Sequence, residues 1–198
     1  MVTTGFSKPY IAKYSNTGTA VTYSGGMKLG RGVELKLDID TADDNNFYAD
    51  NVVAETETSQ FTSGSVTTTV DGLEPAAATL ALGLPETQNV EVGSKQVGFQ
   101  PYGAGMEPPY LGFGCVRRTM MNGKTQYWPF ILPKIRYSIP SEEMATQEEN
   151  IDWQTQELSA TVLRDDTEAQ NWKYLSAAGM DTEAEAEEAV KAFLKITV

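Results

Sequence analysis

The chain has 198 residues, 40% of them hydrophobic and 21% charged, with a net charge of −12, one cysteine and no histidine. That length fits one domain with a core of its own, and no apolar run approaches the ~20 residues a membrane-spanning helix needs. The missing histidine removes the commonest general base, the Ser-His-Asp and Cys-His arrangements, and the usual zinc and iron ligands, while a lone Cys115 leaves no intrachain disulfide.

Residues 1–138 read mainly as strands and turns. Lys8 to Tyr23, rich in Tyr, Thr and Val, predicts one or two strands broken at Gly25-Gly26. Val33 to Asp40 alternates apolar and polar residues without a fault, the period of a strand with one buried and one wetted face. Thr41 to Asn51 carries Asp43-Asp44-Asn45-Asn46 and is predicted to be a polar loop. Phe47 and Tyr48 stand inside it, either as a contact surface or folded back onto the core. Phe61 to Val70 predicts a strand with Val66, Thr68 and Val70 on one face and Thr67 and Thr69 on the other. Pro75 to Leu84 predicts a short helix, with proline in its first turn and Gly83 and Pro85 closing it.

Further strands are expected at Val97 to Tyr102, Tyr110 to Met121, Thr125 to Leu132, Lys134 to Ile139 and Trp153 to Leu163. Asn122-Gly123 between two of these runs is a strong hairpin signal. Pro129 and Pro133 are expected at edges or bends, because proline donates nothing to a ladder. Ser141 to Asn150 is polar and acidic and joins two strands. Thr182 to Leu194 predicts a helix capped by Asp181 or Thr182, with Glu183, Glu185, Glu187 and Glu188 early and Lys191 and Lys195 late, as the helix dipole favours. The fold class that follows is mainly β (α+β): one domain over residues 1–198, arranged as a sandwich or partly closed barrel with one short flanking helix and a C-terminal helix.

Constellations that could carry chemistry are weak. Gly103-Ala104-Gly105 and Gly112-Phe113-Gly114 lack the following helix that phosphate binding requires. Asp38, Asp40, Asp43 and Asp44 lack calcium-loop spacing. Glu142/Glu143 and Glu148/Glu149 read as a solvated face rather than a glycosidase pair. Cys115 reads as a buried strand thiol, and Arg117-Arg118 on a strand point to opposite faces. No catalytic residue, metal or cofactor is expected, and the chain is not expected to be an enzyme. The charge is unevenly placed: residues 1–138 carry 11 Lys and Arg against 13 Asp and Glu, and residues 139–198 carry 4 against 14. An acidic surface repels nucleic-acid phosphates, so DNA or RNA binding is not expected. Met1 to Gly5 lacks the charged start and apolar run of a signal peptide, so cytoplasmic assembly is expected.

Several segments in order carry a resemblance to a known family. They are Lys8-Pro9-Tyr10-Ile11-Ala12, Tyr23-Ser24-Gly25-Gly26, Asn45-Asn46-Phe47-Tyr48-Ala49-Asp50-Asn51, Thr69-Val70-Asp71-Gly72-Leu73 and Leu82-Gly83-Leu84-Pro85. Pro108 to Gly114 and the run Ala145 to Leu158, leading to Arg164-Asp165-Asp166, continue it. The chain resembles the major tail proteins of long-tailed, non-contractile bacteriophages of Gram-positive bacteria and their prophages.

The resemblance implies a tail-tube fold of packed sheets with a flanking helix. It also implies hexameric rings whose inner sheets join into one barrel, stacked around a tape-measure protein, with DNA later passing through the lumen without specific binding. Implied partners are further copies of the chain, the tape-measure protein, and the tail terminator and baseplate or distal tail proteins; the implied place is the virion tail. On that footing Asn45, Asn46, Phe47, Tyr48, Asp50 and Asn51, or an N-terminal arm of about residues 1–10, are expected to contact neighbouring subunits. Glu142, Glu143, Glu148, Glu149 and Asp152 are candidates for an acidic lumen or interface. The alternatives are a tail terminator or other head–tail joining protein of similar β-fold, which would cap tubes without elongating them, and a carbohydrate-binding β-sandwich. Trp128, Trp153 and Trp172, scattered among strand-like segments, favour core roles over an exposed sugar-binding face.

Overall fold

The computed structural model describes residues 2–18, 20–57, 60–141 and 154–197. The protein is mainly β, with one large antiparallel sheet of eight strands, two small two-stranded sheets and two helices. In chain order the strands are β1 (Val2–Asn16), β2 (Val21–Lys28), β3 (Gly32–Thr41), β4 (Asn45–Ala49), β5 (Val52–Glu57) and β6 (Phe61–Val70). Helix α1 (Pro75–Leu82) follows, then β7 (Gln88–Val92), β8 (Lys95–Phe99), β9 (Leu111–Met121), β10 (Lys124–Tyr137), β11 (Gln156–Leu163), β12 (Tyr174–Leu175) and helix α2 (Glu183–Phe193). The large sheet runs β2-β1-β9-β10-β11-β6-β3, with β12 pairing β10.

The alternating runs become half-buried strands. Val66, Thr68 and Val70 of β6 point inward, while Leu35 and Leu37 of β3 pack against the same core. The sheet curls, so that Gly32 of β3 lies against the Phe6 ring of β1; a Cβ there would approach Phe6 Cζ to 2.5 Å. Inside the curl lie Ile11, Phe113, Leu132, Ile135, Leu158 and Val162. Helix α1 plugs this core with Ala77, Ala78, Ala81 and Leu82.

Strand β9 is buried at six consecutive positions, Leu111 to Val116, because both of its faces are covered. Leu111, Phe113 and Cys115 face the interior. On the other side Tyr10, Ala12, Val116 and Ile131 pack under Ala186, Val190 and Leu194 of the C-terminal segment. Gly112 and Gly114 make that approach possible: a Cβ at Gly114 would stand 2.7 Å from Val190 Cγ1, and one at Gly112 would stand 2.8 Å from Leu194 Cδ2. The Gly112-Phe113-Gly114 run is thus a floor for a helix. Burying Val190 and Leu194 contributes roughly 1.5–3 kcal/mol each.

Thr182, not Asp181, caps α2, in a reciprocal box with Glu185. Glu187 anchors the helix to β1: it meets Lys8 at 3.0 Å and Lys191 at 2.9 Å and accepts from the Tyr10 hydroxyl. Ser7 donates to Glu183 one turn earlier. Burial alone would raise the Glu187 pKa, but the hydrogen bonds from Tyr10, Lys191 and Lys8 outweigh it and hold the carboxyl at about 2. A depressed carboxyl pKa adds stability that is complete above its unfolded value and lost as pH falls through the folded one. At about 1.4 kcal/mol per pH unit the contribution is on the order of 3 kcal/mol. Glu187→Gln is therefore expected to destabilise the chain at neutral pH. In urea titrations the gap to wild type should close between about pH 4.5 and pH 2; a gap that stays constant would show that the charge is not responsible.

Several expectations are corrected. Gly25-Gly26 does not break a strand, since β2 runs through it. Gly25 takes a φ of 58°, and the missing side chain of Gly26 leaves room for Ile196. Residues 2–10, expected as an N-terminal arm, lie along β9 as the first part of β1. Thr41 to Asn51 is not a loop, because Asn45 to Ala49 are strand β4. Val97 to Tyr102 is shifted, since β8 ends at Phe99 and pairs with an unexpected β7. Pro129 sits well inside β10. The N–H and C=O of Tyr127 bond Met180 and the carbonyl of Pro129 accepts from Ser176, so the proline nitrogen faces away from β9, where the partner strand is only two residues long. Pro133 falls at the register shift between Leu132 and Ile135, a bend of the expected kind.

Candidate assembly surfaces

The β4–β5 hairpin pairs with no other strand among the described residues. Its tip is Asp50-Asn51 with φ of 50° and 62°, between the paired residues Ala49 and Val52. Positive φ at both central positions is the two-residue I′ turn, which Asp and Asn tolerate. Two of the expected contact residues, Asp50 and Asn51, therefore build the turn. Asn46 accepts from the Thr56 hydroxyl at 2.6 Å and ties the strands together, and Asn45 pairs with Glu57 at their base. Phe47 is 66% exposed and Tyr48 61%, joined by Val52 and Val53. The aromatics do not fold back onto the core. Contiguous exposed apolar surface of this kind marks interaction sites.

A second hairpin, β7–β8, turns at Gly93-Ser94 with positive φ only at Gly93, as a II′ turn requires. It exposes Val90, Val92, Val97 and Phe99. Its base is held by Gln100, which donates to the Pro85 carbonyl and accepts from Thr87.

Among the described residues the large sheet ends in two edges, β2 and β3, each paired on one side only. The outer face of β3, β6 and β11 is polar in register: Lys36, Thr67 and Ser159 form one row, Asp38, Ser65 and Thr161 the next, and Glu34, Thr69 and Glu157 a third. Lys36 is bound to Asp38 at 2.8 Å. Between the first half of β1, β3 and β9 opens a cleft of about 450 Å³, walled by Phe6, Val33, Leu35, Leu37 and Phe130 and carrying Arg117, Lys173 and Glu34.

Glu142, Glu143, Glu148, Glu149 and Asp152 lie outside the described residues. The acidic residues of the last third that are described are largely occupied within the subunit. Asp165 is buried, accepting from Thr167, Asn171 and Tyr174. Asp166 takes Lys134 at 2.7 Å and the Tyr14 hydroxyl, and the Lys134 hydrogen bond holds its carboxyl below the usual range. Asp181 meets Lys124 at 2.8 Å. In residue order this acid looks like a surface field, because pairing over separations such as Tyr14 to Asp166 leaves no local signal.

Cys115 is buried in β9, its thiol pushed up by desolvation. Trp172 stacks on Phe61 at 4.7 Å, and Trp128 donates to Thr119 at 2.9 Å; Trp153 lies outside the described residues. Among the described residues no helix is long and apolar enough to cross a membrane. No family model matches the chain, and no curated protein matches it significantly.

Proposed function

We propose that the chain is a self-assembling structural subunit of a bacteriophage tail tube, stacking as hexameric rings around a tape-measure protein and meeting terminator and baseplate proteins at its ends. The observation that carries this reading is the β4–β5 hairpin, which holds Phe47, Tyr48, Val52 and Val53 out in solvent on a two-strand support. A lone monomer gains nothing from such a feature, and a repeating neighbour would cover it. Two half-paired sheet edges add to it, because edge strands join readily between chains. The segment-by-segment resemblance to major tail proteins supplies the rest.

In this reading the Ser- and Thr-rich outer face of β3, β6 and β11, with Glu34, Asp38, Asp40 and Glu157 among its side chains, is the surface offered to passing DNA. The carboxylates there repel phosphates, and Lys36 in the same rows is held by Asp38. Negative-stain electron microscopy of the purified protein tests the proposal. Long hollow tubes are expected. Single closed rings would point to a terminator instead, and monomers at every concentration would overturn assembly altogether.

A further inference from the structure

We propose that the cleft between β1, β3 and β9 is the seat for the β4–β5 hairpin of a second copy of this chain, with Arg117 meeting a carboxylate of that hairpin. This rests on the self-assembly reading above and names where the contact falls.

The cleft is the seam of the curled sheet. Strand β2 pairs only Tyr10 to Asn16 of β1, so residues 2–7 of β1 have β9 on one side and no described strand on the other. Strand β3, across the seam, is likewise paired only with β6 among the described residues. The seam is therefore bordered by edge backbone groups, and the cleft is walled by Phe6, Val33, Leu35 and Phe130. Arg117 lines it with its Nε buried and without a hydrogen-bond partner among the described residues. A carboxylate entering the cleft gives the half-buried guanidinium a partner that its own subunit does not supply among the described residues. Lys173, whose Nζ stands 4.6 Å over the Trp172 ring, adds a second positive charge.

The hairpin carries the complementary chemistry. No lysine or arginine occurs from residue 37 to residue 94. Glu55 is the cross-strand partner of Phe47, and directly opposed residues share one face with Cβ atoms roughly 5 Å apart. One face thus presents an aromatic ring beside a carboxylate, to a cleft that presents apolar walls beside a guanidinium. The hairpin of the same chain does not serve. The cleft lies at the start of β3 and the hairpin leaves from its far end, and Val33 to Thr41 along a strand spans roughly 26 Å. Donor and acceptor patches are different surfaces, so the contact is head-to-tail and propagates from copy to copy.

Disulfide trapping in assembled protein decides the matter. In a Cys115→Ala background, subunits carrying Val33→Cys are mixed with subunits carrying Glu55→Cys, assembled and oxidised. A cross-linked dimer on non-reducing gels is expected from the mixture and not from either variant alone. In parallel, Arg117→Glu should lower tube yield at least tenfold, and combining it with Glu55→Arg should restore it, with circular dichroism checking that each variant folds. Mixed Val33→Cys and Glu55→Cys tubes that give no cross-link, together with an Arg117→Glu protein that assembles normally, would overturn the seat while leaving the tube reading intact. Failure of the wild-type chain to assemble would overturn both.

Discussion

Replacing Phe47 and Tyr48 together by serine is expected to abolish tube formation while leaving the free subunit folded. Both side chains are about two-thirds exposed, so the subunit loses almost no core contact. Surface changes of this kind stay within about 0.5 kcal/mol, which for a chain of this size is a melting shift of roughly 2 °C. Assembly should respond very differently. Aromatic anchors at interfaces cost about 2 kcal/mol or more each when truncated, and each 1.4 kcal/mol is tenfold in affinity. Losing both should raise the concentration needed for assembly by about a thousandfold. Electron microscopy over a concentration series reads the effect directly, and thermal melts of unassembled protein provide the control. Tubes of normal length at the wild-type concentration would remove the hairpin from the assembly contact.

The parts of the fold that are legible in residue order share a physical basis. Strands β3 and β6 each have one wet and one dry face, so their periodicity survives in the sequence. The β9–β10 turn is legible because Asn122 and Gly123 take φ of 51° and 76°, a demand few residue pairs meet. The β4–β5 hairpin is hidden because Asp43-Asp44-Asn45-Asn46 looks like loop chemistry, although Asp50-Asn51 between Tyr48-Ala49 and Val52-Val53 does carry a turn signal. Covering a sheet on both faces erases alternation, which is why β9 shows no period and why its two glycines resemble a phosphate loop. Neither the anchoring of α2 by Lys8 and Tyr10 nor the cleft joining Phe6, Leu35 and Arg117 has a local signature. The first arises where the C-terminal helix packs across β1, β9 and β10, the second where the curl of the sheet brings β1 and β3 together.

The curl also sets which glycines the chain can least exchange, and Gly83→Ala is expected to be among its most damaging small substitutions. Gly83 ends α1 with φ 60° and ψ 46°, a left-handed conformation that costs an alanine roughly 1–2 kcal/mol. A Cβ there would also stand 1.9 Å from the carbonyl oxygen of Glu107. That obstacle is backbone, held by the bond from the Glu107 N–H to the Gly83 carbonyl at 3.2 Å, so no rotamer change relieves it. Either the 107–108 segment or α1 must move, and α1 carries Ala77, Ala81 and Leu82 into the core. Overpacking of this kind adds about 1–3 kcal/mol. The combined loss of roughly 2–5 kcal/mol corresponds to a melting point lower by about 10 °C. Gly123→Ala separates the two causes, since Gly123 also has a positive φ, 76°, in a turn whose two central residues are both left-handed, and a methyl group added there would meet nothing within 4 Å. It should lose the conformational cost alone, about 1–2 kcal/mol. Equal losses at the two sites would mean that backbone strain, and not the Glu107 contact, governs both, and that α1 is less tightly seated than its buried face implies.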